Sequence, residues 1–273
     1  MAPTDALQNL HGTIALAGAG KMGGAMLTGW LAGGLDASRV IVIEPQPSAE
    51  ITALAAKGIR LNPSDAVTAD TLVVAVKPQT FREVGPALKH LVGPSTLVVS
   101  IMAGTPIAAL EEICGGMVVR AMPNTPAAIG RGITVAVPAR NVSAAQHATA
   151  DALLRATGPV EWVEDEALMD AVTAVSGSGP AYVFLLAEEL ARAGVEAGLP
   201  AELATKLARE TVAGSGELLH RSELAAATLR QNVTSPGGTT AAALEVLMAK
   251  DGLQPLMIRA IAAATKRSKE LAK

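Results

Sequence analysis

The sequence has little of several features that mark particular classes of protein. Only 2% of its 273 residues are aromatic, and the formal net charge is −3. Nucleic-acid binding depends on aromatic stacking and a basic face, so it is not expected here. Half of the residues are apolar, yet no apolar run reaches the ~20 residues that a membrane span requires. We therefore expect neither a nucleic-acid partner nor a membrane-spanning segment.

Cysteine is scarce, and the few histidines are scattered. Cys114 is the only cysteine, which excludes a disulfide within the chain and fits a reducing compartment. The first ten residues have neither the basic start nor the apolar core of a secretion signal. Together these features predict a cytoplasmic protein. The histidines lack the spacing of metal ligands, so no metal site is expected.

The first 164 residues alternate short β-branched runs with helical patterns. The predicted strands are Thr13–Ala17, Val40–Glu44, Leu72–Val76, Leu97–Ile101, Val118–Met122, Ile133–Val137 and Val160–Val163. This alternation predicts βαβ units and an α/β fold with a doubly wound, mainly parallel sheet. Beyond residue 164, helices rich in Ala, Leu and Glu replace the strands. We predict a Rossmann domain over residues 1–164 and an all-helical domain over residues 165–273.

The predicted helices of the second half have small or apolar residues on more than one face. This applies to Ala181–Ala193, Ala201–Leu219 and Ala225–Leu229. Helices of this kind usually have other helices on both sides. We therefore expect this half to pack against a second copy of itself in a homodimer. The alternative is a compact monomeric bundle.

A glycine-rich motif follows the first predicted strand and opens a helix. Gly18-Ala19-Gly20-Lys21-Met22-Gly23 matches G-x-G-x-x-G, which in this context predicts dinucleotide binding. Gly18 permits the tight turn, Gly20 lets the pyrophosphate approach the backbone, and Gly23 allows close helix packing. The alternative is a glycine-rich turn without a ligand.

Glu44 ends the second predicted strand, 21 residues after Gly23. An acid there accepts hydrogen bonds from the ribose hydroxyls of the cofactor and repels a 2′-phosphate. The following loop, Pro45–Glu50, has no Arg or Lys to bind such a phosphate. These residues favour NADH, although Ser48 or a side chain from elsewhere could accept a phosphate.

Further candidate residues follow the next three predicted strands, at the edge where doubly wound sheets bind ligands. They are Val76, Lys77, Pro78, Ala103, Gly104 and Asn124. Asn124 lies in a rigid Pro-x-x-Pro frame, from which it could orient a ribose or carboxamide. The alternatives are an ordinary loop lysine at Lys77 and a structured turn at Asn124.

A second glycine-containing segment, Thr234–Thr240, precedes the apolar run Ala241–Met248. A helix that begins this way has unpaired N–H groups and a positive dipole end, which favour a carboxylate. The candidate substrate residues are Ser235, Gly237, Gly238, Thr239 and Thr240. Such a site predicts a small acidic metabolite as the substrate. A capped helix start without a ligand is the alternative.

Taken together, these motifs resemble those of the pyrroline-5-carboxylate reductases. The matching segments are GAGKMG (Gly18–Gly23), AVKPQ (Ala75–Gln79), RAMPNTP (Arg120–Pro126), DAVTAVSGSGPAYVF (Asp170–Phe184) and NVTSPGGTTAAAL (Asn232–Leu244). The resemblance extends from Thr13 to about Lys269, and its last two segments are the most specific.

The resemblance implies an NAD(P)H-dependent reduction of L-1-pyrroline-5-carboxylate to L-proline, the last step of proline biosynthesis. It also implies a helical domain that interlocks two subunits, with dimers often assembling into decamers. By position in the motifs, cofactor contacts fall on Ala19, Lys21, Met22, Val76, Lys77, Ala103 and Asn232. Substrate contacts fall on Glu166, Ser235, Gly238, Thr239 and Thr240.

Two residues depart from the family pattern. Asp65 stands where the family's cofactor-binding Asn is expected, and Glu44 replaces the small or hydroxyl residues of NADPH-preferring members. The choice between NADH and NADPH therefore stays open.

The resemblance assigns two candidate residues to the chemistry. The Thr240 hydroxyl would donate to the imine nitrogen or relay a proton to it. Glu166 would hold the charge of the iminium, or else it opens the first helix of the second domain, where acids are favoured.

Two other functions are weighed against this one. An imine or β-hydroxyacid oxidoreductase of the same plan would need a lysine on the first long helix of the second domain, but the first lysine after residue 164 is Lys206. A non-catalytic nucleotide sensor would share the fold, because fold does not establish chemistry. The intact Ser235–Thr240 segment argues against a sensor.

Overall fold

The computed structural model describes residues 3–65 and 68–271. The chain divides into two compact units. The first unit comprises the chain up to Gly177 together with the stretch from Thr265 onward. The second unit is Ser178–Ala264.

The first unit contains an eight-stranded sheet among its described residues. The strands are β1 (Ile14–Ala17), β2 (Val40–Ile43), β3 (Arg60–Leu61), β4 (Ala69–Val74), β5 (Val92–Ser100), β6 (Met117–Met122), β7 (Thr134–Pro138) and β8 (Val160–Trp162). Their order is β3-β2-β1-β4-β5-β6-β7-β8. All neighbouring strands are parallel except β6 and β7. The prediction of a doubly wound, mainly parallel sheet is confirmed.

Helices cover both faces of this sheet. They are α1 (Pro3–Gln8), α2 (Lys21–Ala32), α3 (Ala49–Leu54), α4 (Pro78–Leu88), α5 (Ile107–Ile113), α6 (Ala144–Arg155) and α7 (Met169–Val172). Side chains alternate along a strand, so β1 contributes Ile14 and Leu16 to one buried cluster and Ala15 and Ala17 to another. The first cluster includes residues of α2 and α6, and the second includes residues of α4 and α5.

The structure contains local features that the sequence analysis does not predict. The two-residue strand β3 was not predicted, because so short a run carries no periodicity. Helix α4 begins at Pro78, since proline is well tolerated in a first helical turn. A π-helical turn, Thr173–Gly177, lies between α7 and α8 (Gly179–Glu196).

The second unit is built from helices alone. It contains α8, α9 (Ala201–Arg221), α10 (Ala226–Asn232) and α11 (Thr239–Leu247). Helix α12 (Leu253–Leu271) begins in this unit and ends in the first. Near its end, the Ser268 hydroxyl donates to Asp170 Oδ1 over 2.6 Å, a contact within the first unit.

The second unit buries almost nothing by itself. Over residues 178–264 only Ala204 and Ala208 are buried, whereas large apolar side chains such as Phe184 (67% exposed) and Val246 (72%) are not. Apolar surface on this scale marks a protein–protein interface. The observation agrees with the prediction that these helices have a partner on more than one side.

The predicted domain boundary at residue 164 lies just beyond β8. By compactness, residues 165–177 belong with the sheet rather than with the second unit. The placement of the boundary at residue 164 stays a prediction. None of the helices in the described part of the chain is both long and apolar enough to cross a membrane.

Candidate active site

The glycine-rich loop, residues 18–23, leaves the carboxyl end of β1 where the strand order reverses. β1 lies between β2 and β4, so loops that follow β1 and β4 lie side by side at this switch point. Gly18 has φ +91°, and a Cβ atom there would lie 2.7 Å from the Ala75 carbonyl oxygen. A Cβ at Gly23 would overlap the Gly18 carbonyl oxygen. Both positions therefore require glycine.

The start of α2 is suited to an anion. Gly20 is its N-cap, and apart from its chain neighbours no atom of the described residues lies within 4 Å of the place where a Cβ at Gly20 would stand. The first turn has no acidic residue and begins with Lys21. Unpaired N–H groups, the helix dipole and a nearby ammonium favour a phosphate here. The loop thus fits the pyrophosphate of a dinucleotide.

Glu44 is held on this loop by its side chain and its backbone. Its Oε2 accepts a hydrogen bond from the Ala19 N–H (2.8 Å), and its Oε1 accepts one from the Gln46 N–H (3.0 Å). The Asn62 side chain accepts from the Glu44 N–H and donates to the Glu44 carbonyl, each over 2.8 Å. Sequence reasoning found Glu44 but missed Asn62, because that contact joins residues 18 positions apart.

A cleft of about 1180 Å³ opens beside these residues. Five of the predicted cofactor residues line it: Ala19, Gly20, Lys21, Glu44 and Lys77. Residues not found from the sequence also line it, among them Gln46, Ile51, Ala127 and Ala128. Its size suits a cofactor. Gly18 and Gly23 are absent from its lining, since they shape the turn.

The loops after β4, β5 and β6 reach the same edge of the sheet. A Cβ at Gly18 would lie 3.0 Å from the Val76 nitrogen, so the loop after β4 is adjacent to the glycine-rich loop. Lys77 caps α4, and Pro78 is its first residue. Gly104 is buried with φ +71°, and Ala103 is half-buried beside it.

Asn124 and Asp65 make contacts that do not involve the cleft. Asn124 Oδ1 accepts from the Ile133 N–H over 2.9 Å, as a structured turn requires. Asp65 forms an exposed ion pair with Arg60 over 2.6 Å. Neither residue lines the cleft. The cofactor contacts predicted for them remain predictions.

Glu166 is occupied by two donors from its own unit. Its Oε1 accepts from Arg120 Nη1 and from the Ile107 N–H, each over 2.8 Å. The Arg120 side chain is only 6% exposed, and Ile107 is the first residue of α5. Asp165, rather than Glu166, caps the short 3₁₀ turn Glu166–Leu168. The sequence did not reveal these contacts, because Arg120 lies 46 residues away. The substrate contact and the role in the chemistry predicted for Glu166 remain predictions.

The π-helical turn also packs on the end of β6. A Cβ at Gly177 would overlap the Met122 Cε atom. The Ser176 hydroxyl oxygen is inaccessible and has no hydrogen-bond partner within the described ranges. Turns of this kind are frequent at functional sites.

In the second unit, the predicted substrate residues come together at the start of α11. The Gly238 N–H donates to the Ser235 carbonyl over 3.0 Å, and Gly237 has φ +68°. Helix α11 begins at Thr239, not at the predicted Ala241, because Gly238 is its N-cap. No side chain among the described residues caps this helix start. Asn232 is the last residue of α10.

The described part of the structure has no evident metal site and no activated cysteine. Its described residues contain no group of three or more His, Cys, Asp or Glu side chains that could hold a metal ion. Burial raises the pKa of the Cys114 thiol to about 11. A thiol that holds its proton so tightly is a poor nucleophile.

Comparison with known proteins covers both halves of the chain. Residues 166–271 match the family model described as pyrroline-5-carboxylate reductase dimerisation. Residues 13–104 match the model described as NADP oxidoreductase coenzyme F420-dependent. A pyrroline-5-carboxylate reductase of Pseudomonas aeruginosa is 42% identical over 264 residues, which are 95% of this chain and 96% of that protein. This chain belongs to the pyrroline-5-carboxylate reductase family.

Solved structures agree with the family assignment. A pyrroline-5-carboxylate reductase from Coxiella burnetii superposes with a TM-score of 0.87 at 36% identity, over 96% of this chain and 99% of that one. The pyrroline carboxylate reductase of Plasmodium falciparum, solved with NADP bound, has a TM-score of 0.80 at 31% identity, over 96% and 99%. The resemblance to pyrroline-5-carboxylate reductases seen in the motifs is confirmed. The poorly buried helices are those that the family model describes as the dimerisation part.

Proposed function

We propose that this protein reduces L-1-pyrroline-5-carboxylate to L-proline with NADH or NADPH. The observation that carries the proposal is the 42% identity to the Pseudomonas aeruginosa reductase over 95% of the chain. Identity on that scale covers the glycine-rich loop and the 235–240 turn alike. The similarity to this reductase therefore extends beyond the dinucleotide-binding fold that many dehydrogenases share.

The first unit supplies the cofactor site. We assign the pyrophosphate to the start of α2, where Gly20 leaves space and Lys21 adds positive charge. The cofactor's adenine ribose is assigned to Glu44, whose carboxylate is fixed at the loop. Family motifs add contacts at Ala19, Met22, Val76, Lys77, Ala103 and Asn232, and the loops after β4, β5 and β6 add Pro78, Gly104 and Asn124. When bound, the reduced nicotinamide supplies the hydride for the reaction.

We infer a preference for NADH over NADPH. A 2′-phosphate would stand next to the Glu44 carboxylate and be repelled by it. Arg60, on the strand beside β2, forms an exposed ion pair with Asp65 over 2.6 Å, which offsets part of its positive charge. Asp65 thus acts on the cofactor through Arg60 in this proposal, rather than by direct contact.

The second unit supplies the groups that hold the substrate. The start of α11 has N–H groups that no side chain in the described part of the chain caps, and its first turn contains no acid. Such a helix end binds a carboxylate. We place the substrate carboxylate on residues 237–239, with the Ser235 hydroxyl beside it. The Thr240 hydroxyl is then assigned to the imine nitrogen, where it donates a hydrogen bond or passes on a proton.

Glu166 is assigned to support rather than to chemistry. Its carboxylate satisfies the buried Arg120 guanidinium and the first N–H of α5. A carboxylate that left these donors would leave a buried positive charge unpaired, which is costly. Any effect of Glu166 on turnover is therefore expected to pass through the loops after β5 and β6.

We propose a homodimer formed through the helical unit. Residues 178–264 bury only two alanines by themselves, so their leucines and Phe184 need a partner surface. Association of such dimers into a decamer is proposed from the family resemblance alone. A cytoplasmic location is proposed because the single cysteine is a free, buried thiol.

One assay separates the proposed function from its alternatives. The purified protein is mixed with pyrroline-5-carboxylate and NADH, then NADPH, while the absorbance of reduced nicotinamide is followed. We expect the absorbance to fall as proline forms. Turnover of a β-hydroxyacid but not of the imine would indicate another oxidoreductase. Cofactor binding without turnover of either substrate would indicate a sensor and refute the proposal.

A further inference from the structure

Asn62 has a backbone conformation that is unusual for its position. Among residues 3–65 and 68–271, it is the one residue other than glycine with a positive φ, at +47°. Left-handed backbone is costly for most side chains, and Asn tolerates it because its short amide can hydrogen-bond locally. The conformation occurs immediately after β3.

The backbone N–H of Asn62 adds one hydrogen bond to the ladder between β2 and β3, beyond the last residue of β3. The last regular pair of that ladder is Val42 with Leu61, after which the Asn62 N–H donates to the Val42 carbonyl over 2.8 Å. Its side chain then turns toward Glu44, accepting from the backbone N–H and donating to the carbonyl. The oxygen and the nitrogen of the side-chain amide are thus both bonded to the backbone of Glu44, the residue that follows β2.

Glu44 in turn is hydrogen-bonded to the glycine-rich loop. Its carboxylate accepts from the Ala19 N–H, inside the G-x-G-x-x-G segment, and from the Gln46 N–H. Asn62, Glu44 and Ala19 therefore form one hydrogen-bonded series from β3 to the glycine-rich loop. Asn62 does not line the cleft, whereas Glu44 and Ala19 do. Through Glu44, Asn62 is linked to the cleft without lining it.

We propose that Asn62 is a positioning residue that sets the preference for NADH over NADPH by immobilising Glu44. This rests on the proposed role of Glu44 at the cofactor ribose. A carboxylate that is already fixed loses little entropy when it accepts hydrogen bonds from ribose hydroxyls. The same fixation prevents it from rotating away from a 2′-phosphate. Release of Glu44 should therefore weaken NADH binding and relieve the exclusion of NADPH.

The test is a double-mutant cycle in cofactor affinity. Dissociation constants for NADH and for NADPH are measured by nicotinamide fluorescence for wild type, Asn62→Gly, Glu44→Ala and the double variant. Glycine keeps the left-handed backbone, so Asn62→Gly removes only the amide. We expect Asn62→Gly to weaken NADH binding by on the order of tenfold and to lower the ratio of the affinity for NADH to the affinity for NADPH. In the Glu44→Ala background it should change either constant by about twofold or less.

Two further variants serve as controls. Asp70→Ala removes a side chain–backbone hydrogen bond of 2.7 Å to the Thr13 N–H, at the opposite end of β1, and should leave both constants unchanged. Asn62→Asp keeps the acceptor for the Glu44 N–H but opposes an oxygen to the Glu44 carbonyl. It should reproduce the loss, and it replaces Asn62→Gly in the cycle if the glycine variant does not fold.

Three outcomes would overturn the proposal. In the first two, Asn62→Gly binds both cofactors with wild-type affinity, or it weakens the binding of both equally whether or not Glu44 is present. A wild-type protein that prefers NADPH would remove the assigned role of Glu44 as well. Because the assay needs no substrate, a failure to reduce pyrroline-5-carboxylate would refute the proposed function without affecting this test.

Discussion

The ion pair between Glu166 and Arg120 gives the sharpest test of how the candidate site is built. The two side chains meet at 2.8 Å, with Arg120 6% exposed and Glu166 32% exposed. The same Glu166 oxygen accepts the N–H of Ile107 at the start of α5. Replacing Glu166 by Ala would therefore deprive two donors of their acceptor at once.

The expected loss follows from the burial of the pair. Removing one partner of a buried ion pair costs roughly 3–5 kcal/mol, because the remaining charge is left unpaired. Water can reach the partly exposed Glu166, so the lower end, about 3 kcal/mol, is expected for Glu166→Ala. For a chain of this size 1 kcal/mol corresponds to about 2 °C in Tm, so Tm should fall by about 6 °C.

The assay is thermal unfolding at one fixed protomer concentration, since the Tm of an oligomer depends on concentration. Glu164→Ala, which removes an exposed acid two residues away, is the matched control and should change stability by about 0.5 kcal/mol or less. A second variant, Glu166→Gln, keeps an oxygen for both donors. It should lose less stability than Glu166→Ala, because both donors stay hydrogen-bonded although the charge of Arg120 is no longer balanced, and it should retain most of kcat.

A double variant tests whether the two residues act as a pair. Arg120→Met should be destabilising alone, because the Glu166 carboxylate then loses its counter-charge. Combined with Glu166→Ala, it should destabilise by clearly less than the sum of the single losses. The measurement is the free energy of unfolding in denaturant for all four proteins.

One result would refute this reasoning. If Glu166→Ala unfolds like wild type while kcat collapses, and Glu166→Gln collapses equally, the carboxylate acts by its charge on the substrate. The structural role assigned here would then be wrong, and the role at the iminium predicted from the family resemblance would be favoured.

Four further predictions concern single residues. Thr240→Ala should lower kcat by on the order of tenfold if the hydroxyl assists proton delivery; an unchanged kcat in steady-state assays would remove that role. Gly23→Ala should abolish measurable NADH binding, because the added methyl overlaps the Gly18 carbonyl oxygen; wild-type affinity by titration would contradict the close packing. Ser176→Ala should leave the free energy of unfolding unchanged or raise it by about 1 kcal/mol, since its buried hydroxyl has no partner in the described ranges; a clear loss in denaturant melts would reveal a hidden hydrogen bond. Cys114 should resist thiol reagents at pH 8.5 until the protein unfolds, and rapid labelling of the folded protein would contradict this. Because the pKa of Cys114 is about 11 in the folded protein and ordinarily 9.0, the free energy of unfolding should fall as pH rises from about 9 to 11.

Local patterns in the sequence determine much of this protein. β1 and β2 are continuous apolar runs, as expected for strands buried on both faces, and they lie where the sequence predicts them. The glycines of the 18–23 loop follow β1 directly, so turn geometry and helix start are encoded within six neighbouring residues. The same holds for the turn at residues 235–238 before α11. These features depend on contacts between residues close in the chain.

The tertiary structure alone decided which side chains meet across the sheet. Asn62 reaches Glu44 only because the two-residue β3 pairs with β2, and so short a strand leaves no periodic signal. Glu166 meets Arg120 only because the chain returns to the end of β6 after 46 residues. Each contact depends on strand order and on which loops share an edge, and these are properties of the assembled sheet. The sequence identified Glu44 and Glu166 as candidates, whereas folding determined what holds each carboxylate.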